Sequence, residues 1–103
     1  MDLKLEKANL VNVFTSETYT TDIYINNGLI WGFDGDFDAK NIINCEEKYV
    51  TPSFIEGHIH LESSHVKPDE FSFHLLKNGI TSVVCDPHEI ANVGGLEGIE
   101  FLI

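Results

Sequence analysis

Residues Tyr49–Ser64 read YVTPSFIEGHIHLESS, and the interpretation of the whole chain depends on this stretch. After Pro52, which has no amide proton to give to a central strand, apolar and polar residues alternate as far as Glu62. Alternation with a period of two predicts a β-strand with one apolar face. On that strand His58 and His60 share a face, with Cβ atoms about 6.5–7 Å apart.

Two imidazoles at this spacing can share one metal ion. Each can place a ring nitrogen about 2.0–2.1 Å from the same divalent cation. Taken alone, a His-x-His pattern is also typical of two polar residues on a solvated strand face. Here Glu56 and Glu62 lie on the same predicted face, and the strand lies between a proline and a β-to-α crossover. This context favours a metal site.

The segment that follows predicts a β-α-β unit. Pro68 and the two carboxylates after it mark a helix start, and Gly79 marks the end of a helix over residues 68–78. Residues 80–85 read ITSVVC, a β-branched and mostly apolar run that is typical of a strand buried in a parallel sheet. Strand, helix and strand in this order form a right-handed unit by the usual rule.

Three more candidate residues follow the second strand of this unit. Asp86, His88 and Glu89 come at its C-terminal end, where barrel active sites gather. They can supply oxygen and nitrogen ligands or contact a substrate. In the alternative interpretation, Asp86 caps a turn before Pro87 and Glu89 is simply exposed.

The last residues predict a loop and a further helix. Residues 92–95 read NVGG, which predicts a loop, and a helix is expected to start at Leu96. Three of the four residues 100–103 are apolar, and no capping residue follows them. This ending predicts that the chain is truncated.

The N-terminal half predicts an antiparallel β meander. Its strands are rich in residues that fit a pleated surface, and Asn27-Gly28 is a tight hairpin signal because both residues tolerate positive φ. The predicted strands are Leu3–Phe14, Tyr19–Ile25, Leu29–Phe33 and Asn41–Cys45. The fold class is therefore α/β, with a β meander first.

Charge and composition exclude several classes of partner. The 103 residues include 17 acidic and only 6 basic ones, for a formal net charge of −11 that repels nucleic acid and anionic membranes. The sequence has no apolar run long enough for a transmembrane helix and no signal peptide, so we expect a cytoplasmic protein. Cys45 and Cys85 have no Cys-x-x-Cys partner and are expected to be reduced thiols.

Several of these motifs together resemble the amidohydrolase superfamily and, within it, the adenine deaminase family. The similarity rests on His58-Ile59-His60 after a proline, the run LESS at 61–64, the run GITSVV at 79–84 and, most specifically, DPHEIANV at 86–93. It is tightest over residues 49–98. Residues 1–48 resemble the small β domain of the superfamily more loosely.

This resemblance implies a two-domain organisation. Residues 1–50 would form part of a small β domain, and residues 51–103 would begin a TIM-type (β/α)₈ barrel. Such a barrel takes about 250 residues, so only its first two strands fit into this chain. The resemblance therefore implies an N-terminal fragment that is catalytically incompetent alone, with the catalytic residues elsewhere.

The resemblance also implies a reaction and a set of site residues. The reaction is hydrolysis of adenine to hypoxanthine and ammonia at a divalent metal centre, usually binuclear, with manganese or iron and possibly zinc. His58 and His60 would be metal ligands, and Glu62 would contact the substrate or hold a further metal. Additional ligands, or residues that support the ligands, would come from a second group consisting of Glu56, Asp86, His88 and Glu89.

Two alternatives remain open from the sequence. The chain can be a non-catalytic, β-rich module that self-associates through the exposed edge of the Leu3–Phe33 meander. It can also belong to an amidohydrolase that acts on another cyclic amide or amidine. Adenine is the expected small-molecule partner of the full-length enzyme, and a homo-oligomer is compatible with either interpretation.

Overall fold

The computed structural model describes residues 1–102 and divides them into two compact units. The first unit is Met1–Pro52, and the second begins at Ser53. The first unit is a β-sheet, and the second combines two strands with helices, which confirms the predicted α/β class. Among residues 1–102, no helix has both the length and the apolar character that crossing a bilayer requires.

The first unit has five strands, which are β1 Leu3–Asn12, β2 Glu17–Asn26, β3 Leu29–Phe33, β4 Asn41–Asn44 and β5 Tyr49–Val50. They form a mostly antiparallel sheet in the order β3-β2-β1-β4, with β5 also paired to β1. The meander prediction is confirmed for β1 to β3, but it is wrong for the predicted strand Asn41–Cys45, because β4 and also β5 run parallel to β1. The residues before β4 explain this, because they turn the chain back to where β1 starts. The Lys40 amide donates to the Met1 carbonyl at 2.9 Å, so β4 begins beside Leu3.

The core of the first unit lies on one face of this sheet. Ala8, Ile23 and Cys45 are buried there, and partly buried aliphatic side chains pack around them. Tyr24, on the other face of β2, is also fully buried, and its hydroxyl donates to the Gly35 carbonyl. The β2–β3 hairpin turns at Asn27-Gly28, both at positive φ, as the sequence predicts.

The second unit contains the predicted β-α-β element. Its elements are β6 Phe54–Ile59, a 3₁₀ turn at Leu61–Ser64, α1 Pro68–Lys77, β7 Ile80–Cys85 and α2 His88–Leu102. Strands β6 and β7 pair in parallel, and helix α1 lies between them in the sequence. The Asp86 amide donates to the Ile59 carbonyl at 3.0 Å, so the C-terminal ends of the two strands lie side by side.

Two boundaries in this unit differ from the sequence prediction. Strand β6 ends at Ile59 rather than at Glu62, because the Ser63 amide donates to the His60 carbonyl and closes the 3₁₀ turn. The loop predicted at residues 92–95 is too long, since a helical segment already begins at His88, but a break at Gly95 separates it from a second segment that begins at Leu96, as predicted. The glycines of the predicted loop correspond to this break, because Gly95 has a φ of 61° and a ψ of −146°, which are not helical.

Both cysteines are free thiols, as the sequence predicts. Cys45 is buried in the core of the first unit, and Cys85 is partly buried at the last position of β7. Neither forms a disulfide.

Candidate metal centre

His58, near the end of β6, and His60, the first residue after β6, lie side by side at the C-terminal end of the strand. The Nε2 atoms of His58 and His60 are 3.2 Å apart, and their ring centroids are 4.9 Å apart. This arrangement follows from the strand register, which sends residues two apart to the same face. Both rings therefore project toward the same region.

The His60 ring is held in one orientation and one tautomer. Its Nδ1 atom lies 2.8 Å from the backbone carbonyl oxygen of Asp86. Because a carbonyl oxygen only accepts, the proton must be on Nδ1, and Nε2 of the neutral ring carries a lone pair. A ligand histidine is commonly oriented in this way, with its second nitrogen donating to a carbonyl or carboxylate. His60 is thus prepared to bind a metal through Nε2.

The separation of the two Nε2 atoms fits a shared metal ion. A tetrahedral site with bonds of about 2.0–2.1 Å places its ligand atoms about 3.3–3.4 Å apart. The observed 3.2 Å is close to that separation, so neither ring has to move far to bind one ion. The side chains present are therefore suited to the metal that the sequence pattern implies.

Asp86 and His88, which follow the C-terminal end of β7, lie close to this pair. An Asp86 carboxylate oxygen is 3.3 Å from Nδ1 of His88 and 3.8 Å from Nδ1 of His60. The rings of His60 and His88 are perpendicular, with centroids 4.8 Å apart. Among residues 1–102, two groups have ligand atoms within 4.8 Å of one another, namely His58, His60 and Asp86, and His60, Glu62 and His88.

Glu62 links the 3₁₀ turn to the start of α2. One carboxylate oxygen, Oε1, accepts the Glu89 amide at 3.0 Å. A hydrogen bond from its own amide lowers the pKa of the Glu62 carboxyl more than burial raises it, and the amides of Glu89 and Ile90 lower it further. The other oxygen, Oε2, is buried and has no hydrogen-bond partner among the described residues. Glu62 is therefore an anion with one unpaired oxygen.

Two other candidate carboxylates are engaged elsewhere. Glu89 accepts the Ser63 hydroxyl at 2.8 Å, and Glu56 accepts the backbone amide of His58 at 3.2 Å. Neither belongs to the two groups of possible ligands among residues 1–102. The sequence did not indicate the role of Ser63, because a serine in a polar turn carries no signal for a contact with a residue 26 positions away.

A well-formed cleft of the described chain lies away from these residues. It lies in the first unit, has a volume of about 340 Å³, and is lined by aliphatic and aromatic side chains with only Asn12 and Thr51 as polar residues. No titratable side chain of the described residues lines it. The groups that can perform acid–base or metal chemistry are instead clustered in the second unit.

Comparison with sequences of known proteins gives a consistent assignment. Residues 49–103 match the sequence model described as the Amidohydrolase family. Over 102 residues the chain is 46% identical to an adenine deaminase of Listeria innocua and 44% identical to that of Bacillus subtilis. Over 103 residues it is 48% identical to an adenine deaminase of Listeria welshimeri. These alignments cover 99% of this chain but only 18% of each relative, so the chain spans less than a fifth of their length.

Comparison with solved structures supports the fold. A crystal structure of a prolidase in complex with N-methylphosphonate-L-proline matches 91% of this chain and 29% of that protein, with a TM-score of 0.65. At 19% sequence identity this similarity concerns the fold alone. The family match over more than half of the chain and the high identity to adenine deaminases confirm the resemblance found in the sequence, and the chain belongs to the amidohydrolase family.

Proposed function

We propose that the full-length protein is a metal-dependent deaminase that converts adenine and water into hypoxanthine and ammonia. The observation that carries this proposal is the His58–His60 pair, with Nε2 atoms 3.2 Å apart and with His60 oriented by the Asp86 carbonyl. The substrate is inferred from relatives named adenine deaminase that are 44–48% identical to this chain. Hydrolysis as the reaction class follows from the family.

The chain's own residues bind and orient the metal in this proposal. His58 and His60 hold a divalent ion, with manganese, iron or zinc as candidates, and the Asp86 carbonyl keeps the His60 lone pair directed at it. When bound, such an ion lowers the pKa of water toward about 7 and so makes a nucleophile available at neutral pH. The substrate role of Glu62 stays a prediction, since its Oε2 atom can accept a hydrogen bond from a base or ligate a cation.

We also propose that the two units correspond to two domains of the full-length enzyme, a small β domain over residues 1–50 and the start of a TIM-type barrel over residues 51–103. The position of the candidate ligands supports the barrel, because barrel active sites are built at the C-terminal ends of parallel strands. Two strands cannot surround a metal or exclude water from a purine. The 103-residue chain alone should therefore be inactive, and the cytoplasm remains the expected compartment.

The proposal is tested by measuring ammonia release and bound metal in the full-length protein. We expect wild type to release ammonia from adenine, and His58→Ala to lose metal and more than about 100-fold of its activity, since even the loss of a supporting residue typically costs 10–100-fold. His74→Ala, an exposed histidine of α1, is the matched control and should behave like wild type. Full activity in His58→Ala would contradict the proposal. Turnover of another cyclic amide or amidine instead of adenine would favour the alternative substrate class.

A second candidate function, self-association, is favoured by one observation in the first unit. Strand β3 is an edge of the sheet, and its Leu29, Ile30 and Trp31 side chains are 63–71% exposed. An exposed apolar edge strand can pair with a second copy. Sedimentation of the 103-residue chain with and without Trp31→Lys tests this, and a monomer at all concentrations in wild type would remove the candidate.

A further inference from the structure

The break at Gly95 changes the direction of α2. A Cβ atom on Gly98 would lie 2.9 Å from the Ile90 carbonyl oxygen and 3.0 Å from the Ile90 Cγ1 atom. In a straight helix, residues eight positions apart are separated by about 12 Å along the axis. Residues 96–102 therefore lie beside the first segment of α2, residues 88–94, and do not continue it in a straight line.

Gly98 has no room for a side chain at this contact. Cβ atoms essentially never lie 2.9 Å from a backbone atom, so a methyl group on Gly98 would have to displace the Ile90 backbone. Both residues are half-buried, as are their neighbours Ala91 and Ile99, whereas residues 92–97 between them are exposed. The contact is thus a close approach of one helical segment to the backbone of another, for which glycine is suited.

The backbone next to Ile90 holds the first segment at the candidate metal centre. The Glu89 amide donates to the Glu62 carboxylate at 3.0 Å, and the Glu89 carboxylate accepts the Ser63 hydroxyl at 2.8 Å. Both hydrogen bonds join the first segment to the 3₁₀ turn that follows His60. A displacement of Ile90 would therefore reach Glu89 and Glu62, because consecutive peptide units are planar and rigid.

We propose that Gly98 is a positioning residue of the deaminase, which fixes the start of α2 and, through it, Glu62 beside the His58–His60 pair. This inference rests on the proposed function and extends it to a residue that offers no functional group to a metal or a substrate. Glu62 is the predicted substrate contact, whereas His58 and His60 are held by β6 and by the Asp86 carbonyl. A misplaced α2 should therefore weaken adenine binding and leave the metal in place.

The test compares the full-length wild-type protein with Gly98→Ala and with Gly94→Ala as the matched control. A Cβ atom on Gly94 would meet nothing within 4 Å, so the same methyl group there should leave the KM for adenine unchanged. We expect Gly98→Ala to raise this KM about tenfold with wild-type metal content, since a misplacement of about 1 Å can cost about 100-fold and this one is smaller. Hydrogen exchange of the Glu89 amide should also become faster, because its acceptor is no longer aligned.

Two further variants separate positioning from a loss of folding. Ile90→Ala shortens the side chain that packs on Gly98, so it should raise the KM and the exchange rate to a smaller extent without overfilling the contact. Ser63→Ala removes the hydroxyl bonded to Glu89, and its effect on the KM should not add to that of Gly98→Ala, because residues of one network are coupled. Additive effects together with a lower unfolding midpoint in Gly98→Ala would reduce Gly98 to a structural role and overturn the proposal.

The outcomes distinguish this inference from the proposed function. A wild-type KM and wild-type amide exchange in both Gly98→Ala and Ile90→Ala would overturn the positioning role. A wild-type protein that released no ammonia from adenine would overturn the proposed function instead. Faster exchange of the Glu89 amide in Gly98→Ala would then still support the contact between Gly98 and Ile90.

Discussion

The two units of the chain divide stability and chemistry between them. In the first unit Ala8, Ile23 and Tyr24 are each at most 2% exposed, whereas in the described part of the second unit Leu61 is the only buried residue, at 8%. Strand β6 even exposes 67% of Phe54, although parallel strands normally have both faces covered. The second unit instead contains the cluster of histidines and carboxylates. The first unit thus contains the best-buried side chains, whereas the second contains the groups that can perform chemistry.

The largest effect expected from this comparison is a loss of enzymatic activity while the sheet of the first unit stays folded. We expect His60→Ala in the full-length protein to reduce ammonia release by more than about 100-fold, because it removes both a proposed metal ligand and the contact to the Asp86 carbonyl. Unfolding of the first unit should not change, since His60 lies outside it. Activity assays paired with fluorescence of Trp31 in the 103-residue chain measure the two effects, and a lower unfolding midpoint would show that the units are coupled.

The converse change should affect stability alone. We expect Ile23→Ala to cost about 2–5 kcal/mol in the free energy of unfolding, because the side chain is 2% exposed and its loss leaves a cavity. Ile42→Ala is the matched control in the same sheet and, at 60% exposure, should cost less than about 0.5 kcal/mol. Urea denaturation followed by Trp31, the single tryptophan, gives both values. Equal costs for the two variants would contradict the assigned core.

The comparison also explains which features were predictable from the sequence. The Asn27-Gly28 hairpin, the helix start at Pro68 and the shared face of His58 and His60 depend on residues close together in sequence, and all three are present. The start of α2 at His88 was missed because the glycines of residues 92–95 are a strong loop signal, costing about 1 kcal/mol each in a helix. The Glu62 carboxylate offsets part of that cost by accepting an amide of the first turn from 27 residues away.

Long-range contacts likewise account for the other differences. The parallel pairing of β4 with β1 depends on hydrogen bonds between the N-terminal residue and residues 38–40. No local sequence pattern predicts these hydrogen bonds. The sequence identified His58, His60, Asp86 and His88 as candidates from their spacing and their place after strands. It did not reveal that Glu62 leaves the strand face and turns toward α2, because this depends on where β6 ends.

A smaller effect is expected for the tyrosine buried on the second face of the sheet. Tyr24→Phe removes the hydroxyl that donates to the Gly35 carbonyl and should cost about 0.5–1.5 kcal/mol, the usual net value of one hydrogen bond. The ring itself is retained and keeps its edge-on contact with Phe37, at a centroid distance of 5.3 Å. Tyr19→Phe, on an exposed side chain of the same strand, is the control in the same urea experiment. A larger loss in the free energy of unfolding than in Ile23→Ala would contradict the prediction that this hydrogen bond contributes less than the packing of the core.

The smallest expected effect is a dependence of the first unit's stability on pH. The Asp22 carboxylate accepts hydrogen bonds from the Lys4 ammonium and from the Lys7 backbone amide, both at 2.8 Å, beside the bulge in β1. The hydrogen bond from Lys4, the largest cause, and the one from Lys7 lower the pKa of the Asp22 carboxyl in the folded state. Because the folded pKa is the lower one, the stabilisation is complete above the unfolded value of about 3.9 and is lost as the pH falls through the folded value.

Replacing this carboxylate should therefore flatten the acid side of the stability curve. We expect the unfolding midpoint of wild type to fall between about pH 5 and pH 2, and that of Asp22→Asn to fall less, since the amide does not titrate. Asp36→Asn serves as the control, because Asp36 is an exposed residue of the same unit. Parallel curves for wild type and Asp22→Asn would mean that the Lys4–Asp22 pair, although well aligned, is screened by solvent and contributes no more than an ordinary surface ion pair.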